Sequence, residues 1–252
     1  MRQRYIKKIP GTTKIYLLFK NVYHYFVFIL SFLKFKSLNH DSRFKILWRD
    51  RLPRLRDNTE FTNFDRHYIY HPAWAARVIK KTDPQAHVDI SSTLSFSTML
   101  SAFVPVKFYD YRPAEMNLDN LSSEKADLRN LPFKDESISS LSCMHTVEHI
   151  GLGRYGDPID PAGDLKAISE LKRVLARDGN LLFVVPVGRP KIMFNAHRIY
   201  SYSQILDLFS DLKLMEFSLI PDGSEQGIII NAGEAQADEQ AYGCGCFWFK
   251  KI

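Results

Sequence analysis

The chain has 252 residues, of which 45% are hydrophobic and 25% charged, with 12 glycines, 12 prolines and three cysteines. This composition excludes a largely disordered chain, because the apolar fraction is large enough to bury a core. The length suits one large domain with an appendage. Three cysteines are too few for a disulfide framework, which favours a reducing, cytoplasmic compartment.

The net charge of +6 is unevenly distributed along the chain. Residues 1–56 contain 14 lysines and arginines against Asp41 and Asp50, whereas 26 acidic and 20 basic residues follow them. We therefore expect a basic N-terminal arm and linker over 1–56 and an acidic domain over 57–252. Because a nucleic-acid groove needs clustered lysine and arginine, no nucleic-acid partner is expected for that domain.

Residues 15–33 of the arm form a nearly unbroken apolar and aromatic segment. On a helix, the polar residues in and beside this segment, except Asn21, gather into one narrow stripe, which is typical of a helix lying at a membrane interface. We therefore expect residues 14–56 to contact an anionic membrane surface, peripherally at an inner face, with a spanning helix or packing on protein as alternatives. A signal peptide is not expected, because Lys-Phe-Lys follows the segment. The stripe consists of Thr13, Lys20, His24, Ser31 and Lys34.

Downstream of the linker, short apolar segments alternate with amphipathic ones. This alternation predicts an α/β domain with a mainly parallel, seven-stranded sheet that helices cover on both faces. In such a sheet, ligands bind beyond the carboxyl ends of the strands. The predicted strands are 87–91, 106–111, 124–128, 137–144, 180–185, 213–221 and 246–250, and the predicted helices are 71–81, 95–103, 164–175 and 201–209.

Five segments between residues 72 and 221 have the order and spacing of a known family. They are Val88-Asp-Ile-Ser-Ser-Thr-Leu-Ser, Tyr109-Asp-Tyr-Arg-Pro, Ala126-Asp-Leu-Arg-Asn-Leu-Pro-Phe, His145-Thr-Val-Glu-His-Ile and Glu170-Leu-Lys-Arg-Val-Leu-Ala-Arg-Asp-Gly. Together they resemble the class I S-adenosylmethionine-dependent methyltransferases. The resemblance implies a Rossmann-like fold, S-adenosylmethionine as the cofactor and methyl transfer as the activity.

The resemblance also implies which residues hold the cofactor. Asp110 would accept both ribose hydroxyls, Asp127 would accept from the adenine amine, and Leu128 would cover the adenine ring. The first loop departs from the family, because residues 91–95 contain no glycine where the family uses glycine to reach positive φ beside the cofactor. The full set of implied cofactor contacts is Asp89, Ser91, Ser92, Asp110, Tyr111, Asp127, Leu128 and His145.

The segment 151–163, with four glycines and two prolines, is longer than a connection requires. Long irregular loops over the carboxyl edge of a sheet are often functional, so this loop is expected to face the acceptor. The acceptor is expected to be a small or lipid-linked molecule with a saccharide-like hydroxyl, and His149 is the expected base, with His145 as a second catalytic residue. The predicted substrate contacts are Arg154, Tyr155, Asp157 and Arg198.

Two other functions fit parts of the sequence. The glycine-free first loop also suits a non-catalytic binding or scaffold module on the same fold. His145, Glu148 and His149 match the H-x-x-E-H pattern of a zinc hydrolase, but that chemistry needs a sustained helix, and the glycines after Ile150 oppose one. Cys244-Gly-Cys246 is interpreted as tight packing in an interior strand, and no metal site is predicted.

Overall fold

The computed structural model describes residues 12–223 and 227–252. The chain divides into two compact units, Met1–Asn63 and Phe64–Ile252, so the division falls somewhat later than the predicted boundary after residue 56. The basic residues before Thr12 lie outside the described part of the chain.

The first unit is built on one long helix, α1 (Thr12–Leu38), which contains the predicted apolar segment. The linker returns along one face of this helix, where the Trp48 ring packs 5.0 Å from the Phe32 ring. Further along the same face, the Arg56 guanidinium donates to Asn21 Oδ1 at 3.1 Å. Among the residues that are described, no helix combines the length and apolar character needed to cross a bilayer.

The second unit is an α/β domain around one eight-stranded sheet with a small separate hairpin. Its helices are α2 (Arg66–Thr82), α3 (Leu94–Leu100), α4 (Gly163–Val174), α5 (Tyr202–Leu208) and α6 (Glu234–Asp238). Its strands are β1 (His87–Ile90), β2 (Val106–Asp110), β3 (Leu121–Lys125), β4 (Ile138–Met144), β5 (Leu175–Val187), β6 (Lys191–Met193), β7 (His197–Ile199), β8 (Lys213–Ile220), β9 (Ile229–Ile230) and β10 (Gly243–Lys250).

The sheet has the strand order β3-β2-β1-β4-β5-β10-β8-β9. The pairs from β3 to β5 are parallel, and the pairs that join β10, β8 and β9 are antiparallel. The predicted α/β class is therefore confirmed. The count differs by one strand, because the two-residue strand β9 is too short to leave a hydrophobic pattern in the sequence.

Two hydrophobic clusters lie on the two faces of the sheet, as expected for a sheet buried on both sides. On β5, Phe183 belongs to the cluster that packs on α4, whereas Leu182 and Val184 belong to the cluster that packs on α2 and α3. Successive strand side chains point to opposite faces, which explains the continuous apolar run in this strand.

The structure differs from the predicted elements at several points; strand β5, for example, begins at Leu175, five residues before its predicted start. Helix α2 begins at Arg66, five residues before the predicted start, because the Asp65 side chain caps it by accepting from the Tyr68 amide at 3.2 Å. Strand β3 begins at Leu121, three residues earlier than predicted. The β6–β7 hairpin was not predicted, since three-residue strands carry too little periodicity.

Candidate functional site at the carboxyl edge of the sheet

The turn after β1 lies beside the end of β2. Ile90 pairs with Tyr109, and the Ser91 amide donates to the Tyr109 carbonyl at 2.7 Å, so Ser91 and Asp110 leave neighbouring strands together. Ser91 has a φ of 55°, in the left-handed region that a non-glycine residue adopts at a cost of about 1–2 kcal/mol. Ser91 thus adopts the positive φ for which the family uses glycine in this turn. Such strained residues concentrate at functional sites.

The two carboxylates implied to hold the cofactor have different surroundings. Asp110 is half-buried, and its Oδ1 accepts from the Arg112 amide at 2.7 Å. Asp127 accepts two hydrogen bonds from the Arg129 guanidinium, at 3.0 and 2.7 Å, and these bonds hold the pKa of its carboxyl below the ordinary value. Arg129 is a partner that the sequence interpretation did not include, although it lies only two residues away.

Three other implied cofactor contacts are turned toward the protein interior. Leu128 is 4% exposed and belongs to the core, which disfavours the implied role of covering an adenine ring. The buried Asp89 carboxylate accepts from the Ser97 and Ser142 hydroxyls, and burial raises its pKa to about 6. The Ser92 hydroxyl accepts from the Met144 amide at 3.2 Å, so Asp89 and Ser92 fasten the turn to α3 and β4.

Tyr111, the remaining residue of the implied set near β2, is half-buried. The Lys125 ammonium lies 5.7 Å from the centre of its ring, a distance typical of a cation–π contact. This contact ties the residue after β2 to the end of β3.

The segment after β4 carries the two histidines of the H-x-x-E-H pattern. Val147–His149 form a single 3₁₀ turn, as the following glycines indicate, and not the sustained helix that the zinc hydrolase needs. The buried Glu148 carboxylate lies between the imidazoles, with Oε1 at 2.9 Å from His145 Nδ1 and 3.8 Å from His149 Nε2. Burial raises the pKa of Glu148 to about 7 and lowers that of His145 to about 4. The pattern therefore does not build the hydrolase geometry.

His149 is oriented by its backbone partner. Its Nδ1 lies 2.6 Å from the Ala196 carbonyl oxygen, which can only accept, so Nδ1 carries the proton and donates. This tautomer leaves the lone pair on Nε2. Burial lowers the pKa of His149, so the ring is neutral at pH 7.

An aromatic and cationic cluster lies on the predicted acceptor loop. Arg154 and Tyr155 are both exposed, and the guanidinium carbons of Arg112 and Arg154 lie 4.7 and 5.0 Å from the centre of the Tyr155 ring. The His149 ring meets the same tyrosine edge-on at 5.6 Å. Arg112 was missed in the sequence, because its position two residues after the end of β2 does not distinguish it from a solvated arginine.

The loop itself is held by Asp157 and Arg198. Asp157 accepts from the Gly151 amide at 2.8 Å, and a side chain at Gly151, whose φ is 80°, would place its Cβ 2.0 Å from the Asp160 carbonyl oxygen. Arg198 is 5% exposed and donates to the Ile150 carbonyl at 2.7 Å. This geometry favours a structural role for Arg198 over the predicted substrate contact, which was inferred without knowledge of its burial.

Two cavities lie beside helix α2. One of about 890 Å³ lies between α2 and α3, and its apolar lining includes Phe96, Met99 and Phe103 but none of the implied cofactor contacts. A second, of about 270 Å³, is lined by residues that include His67 and Tyr242.

Comparisons with known proteins bear on the second unit. The family described as "Caenorhabditis protein of unknown function, DUF268" matches residues 126–241. No curated protein matches the sequence. Among solved structures, a protein from Galdieria sulphuraria assigned as a sarcosine dimethylglycine methyltransferase is similar at a TM-score of 0.51 and 14% identity, covering 71% of this chain and 84% of its own.

Two further solved structures are similar at a TM-score of 0.49. The YcgJ protein from Bacillus subtilis is 16% identical, over 71% of this chain and 98% of its own. The 1,6-didemethyltoxoflavin-N1-methyltransferase of Burkholderia thailandensis, solved with S-adenosylhomocysteine, is 9% identical, over 72% of this chain and 78% of its own. At these sequence identities, structural similarity shows the fold alone. The fold assignment rests on the Galdieria protein, with its TM-score of 0.51. The Phe64–Ile252 unit has the Rossmann-like fold of the class I S-adenosylmethionine-dependent methyltransferases.

Proposed function

We propose that this protein transfers a methyl group from S-adenosylmethionine to a hydroxyl of a polar or lipid-linked, saccharide-like acceptor. One observation carries the proposal: the left-handed turn at Ser91 lies beside Asp110 at the carboxyl edge of a sheet with the methyltransferase fold. Ligands of doubly wound sheets bind at this edge. The half-buried Asp110 carboxylate would accept the ribose hydroxyls, and Asp127, shared with Arg129, would lie near the adenine.

The acceptor would bind beside the loop that follows the 3₁₀ turn. Bound S-adenosylmethionine would supply the methyl group for the acceptor hydroxyl, and His149 Nε2 would accept the proton that this hydroxyl releases. Glu148 Oε1, 3.8 Å from that nitrogen, favours the imidazolium that results. The guanidinium groups of Arg154 and Arg112 both contact the exposed Tyr155 ring. Two cations at this place support an acceptor that carries an anionic group. The His145 side chain is only 7% exposed. We therefore assign His145 a role in positioning Glu148, and not in proton transfer.

Calorimetric titration of the full chain with S-adenosylmethionine and with S-adenosylhomocysteine tests the cofactor site. Binding is expected for the wild type, and Asp110→Ala is expected to weaken it at least ten-fold, because hydrogen bonds to a charged group each contribute about 1.5–3 kcal/mol. Asp119→Ala is the matched control, since this exposed aspartate precedes β3 at the opposite edge. Wild type without binding heat for either ligand would instead support the non-catalytic module, and equal losses in both variants would remove the role of Asp110.

We also propose that α1 lies on an anionic membrane surface. Its face away from the linker presents six exposed apolar side chains at helical spacing, while residues 1–56 carry a large excess of positive charge. An apolar helix face together with lysines and arginines is what an interfacial helix requires. The six side chains are Phe19, Val22, Tyr23, Phe26, Leu30 and Leu33.

Sedimentation of the full chain with vesicles tests this role of α1. We expect binding to phosphatidylserine-containing vesicles and little to pure phosphatidylcholine. The double substitution Phe26→Asp and Leu30→Asp should abolish binding, because it places two carboxylates in the apolar face. His24→Asp with Ser31→Asp adds the same charge to the polar stripe and should only weaken binding. Equal effects of the two pairs would mean that net charge alone governs binding, and no vesicle binding by the wild type would refute the proposal.

A further inference from the structure

Three potential metal ligands meet at the carboxyl edge of the sheet from distant parts of the sequence. His67 lies in the first turn of α2, His145 follows β4, and Cys244 lies near the start of β10. One donor atom from each lies within 4.8 Å of the other two, and His145 Nε2 is 3.3 Å from Cys244 Sγ. His145 and Cys244 are buried and His67 is half-buried.

The spacing and the donor types fit one class of metal. Zinc binds imidazole nitrogen at about 2.0–2.1 Å and thiolate sulfur at about 2.3 Å, so ligand atoms around a tetrahedral ion lie about 3.5 Å apart. The distance of 3.3 Å from His145 Nε2 to Cys244 Sγ is close to this value, and a donor atom of His67 lies within 4.8 Å of both. A soft thiolate together with two imidazoles suits zinc and disfavours magnesium or calcium, which prefer oxygen ligands.

The surroundings hold the histidine rings in the orientation that a ligand needs. Glu148 Oε1 lies 2.9 Å from His145 Nδ1, which directs Nε2 toward Cys244, and such carboxylate–histidine pairs accompany zinc ligands generally. The His67 ring stacks between two others, at 5.6 Å from His145 and 5.2 Å from Tyr242. The orientation of both imidazoles is therefore set without the metal.

Polar atoms beside the cluster are incompletely satisfied. Within the described part of the chain, His71 Nε2 and Glu148 Oε2 are buried without a hydrogen-bond partner, and the His71 ring lies 5.0 Å from that of His145. Most buried polar atoms in proteins do have a partner. A divalent cation would offset the burial of the Glu148 carboxylate next to its histidine.

A cavity adjoins the cluster at His67. The cavity of about 270 Å³ is lined by His67 and Tyr242 together with two aspartates, Asp65 and Asp222. Three protein ligands and one side facing a cavity are the arrangement of zinc sites that keep an exchangeable position. We propose that His67, His145 and Cys244 bind a zinc ion whose fourth position faces this cavity and holds water or an oxygen of a bound molecule. The site does not depend on the proposed methyl transfer.

Metal titration of the reduced, metal-free full chain tests the site. Cobalt(II) is expected to bind at one equivalent with a thiolate-to-cobalt absorption band, and zinc is expected to displace it. Cys244→Ser should abolish the band and weaken zinc binding at least 100-fold, and His67→Gln should weaken it at least ten-fold. Cys246→Ser is the matched control, since Cys246 lies on the same strand with its sulfur 3.9 Å from that of Cys244, outside the ligand group.

Circular dichroism and the melting temperature of each variant show whether it is folded. His67→Gln is the variant less prone to unfold, because His67 is half-buried in the first turn of α2. Weaker metal binding by folded His67→Gln supports the site even if Cys244→Ser unfolds. Absence of stoichiometric cobalt binding by the wild type would overturn the proposal. A band that Cys246→Ser removes and Cys244→Ser keeps, or unchanged affinity in folded His67→Gln, would overturn it as well.

Discussion

Arg198→Ala is expected to destabilise the second unit by about 3–5 kcal/mol, as removal of one partner from a buried ion pair does. The Arg198 guanidinium donates to the Ile150 and Pro161 carbonyls and lies 3.5 Å from the buried Asp164 carboxylate. Without the guanidinium, both carbonyls lose this donor. Asp164 loses its cationic partner and keeps the hydrogen bond from the Tyr200 hydroxyl, at 2.9 Å. Urea denaturation of the variant and the wild type measures the difference.

Arg154→Ala is the control for this prediction. Arg154 belongs to the same loop and also donates to a backbone carbonyl, that of Ala196 at 3.0 Å, but it is exposed, so its removal should change stability by no more than about 0.5 kcal/mol. If the two variants unfold at the same urea concentration, burial of Arg198 does not stabilise the loop. A stable Arg198→Ala variant would also reopen its predicted role as a substrate contact.

Acidification below pH 6.5 is expected to lower the free energy of unfolding, and the buried His87 is one of the groups responsible. This imidazole is fully buried, with Nδ1 and Nε2 each 2.8 Å from a serine hydroxyl, of Ser140 and Ser142, and burial lowers its pKa to about 3. In the unfolded chain the pKa returns to about 6.5. The unfolded state therefore binds the proton first, and stability that is complete above pH 6.5 is lost as the pH falls toward 3.

Asp89 acts in the opposite direction. Burial raises its pKa to about 6, so between pH 6 and the unfolded value near 3.9 the folded state binds the proton more tightly, and acidification adds stability. Between about pH 6 and 4 the effects of His87 and Asp89 largely offset each other, so the pair gives a small net loss, most of which develops between pH 6.5 and 6 and below pH 4. His71, whose pKa burial lowers to about 3, adds to that loss.

Urea denaturation at several pH values between 7.5 and 4.5 separates the two groups. His87→Gln should flatten the fall in stability below pH 6.5, whereas Asp89→Asn should steepen it, because it removes the opposing group. The wild type and both variants are compared by their change in unfolding free energy with pH, so any constant effect of the substitution cancels. An unchanged slope in His87→Gln would show that other groups control acid unfolding.

Some residues of the candidate site carry a signal in the sequence, and others carry none. Asp110 and Ser91 were named through the family resemblance, and the structure places them at the ends of the parallel neighbours β2 and β1. Arg129, which pairs with Asp127, and Arg112, which contacts Tyr155, were not identified, because an arginine near a strand end has no pattern that distinguishes it from a solvated one. The sequence alone also gave no indication that Arg198 is buried.

The sequence by itself determined the α/β class and the mainly parallel sheet, because hydrophobic periodicity is a local property. Only the tertiary structure decided which candidate side chains are buried and which distant residues meet. His67, His145 and Cys244 are separated by 78 and 99 residues, yet their donor atoms meet within 4.8 Å. Such a meeting depends on the antiparallel return of β10 beside β5 and on the position of α2, and no local pattern in the chain encodes it.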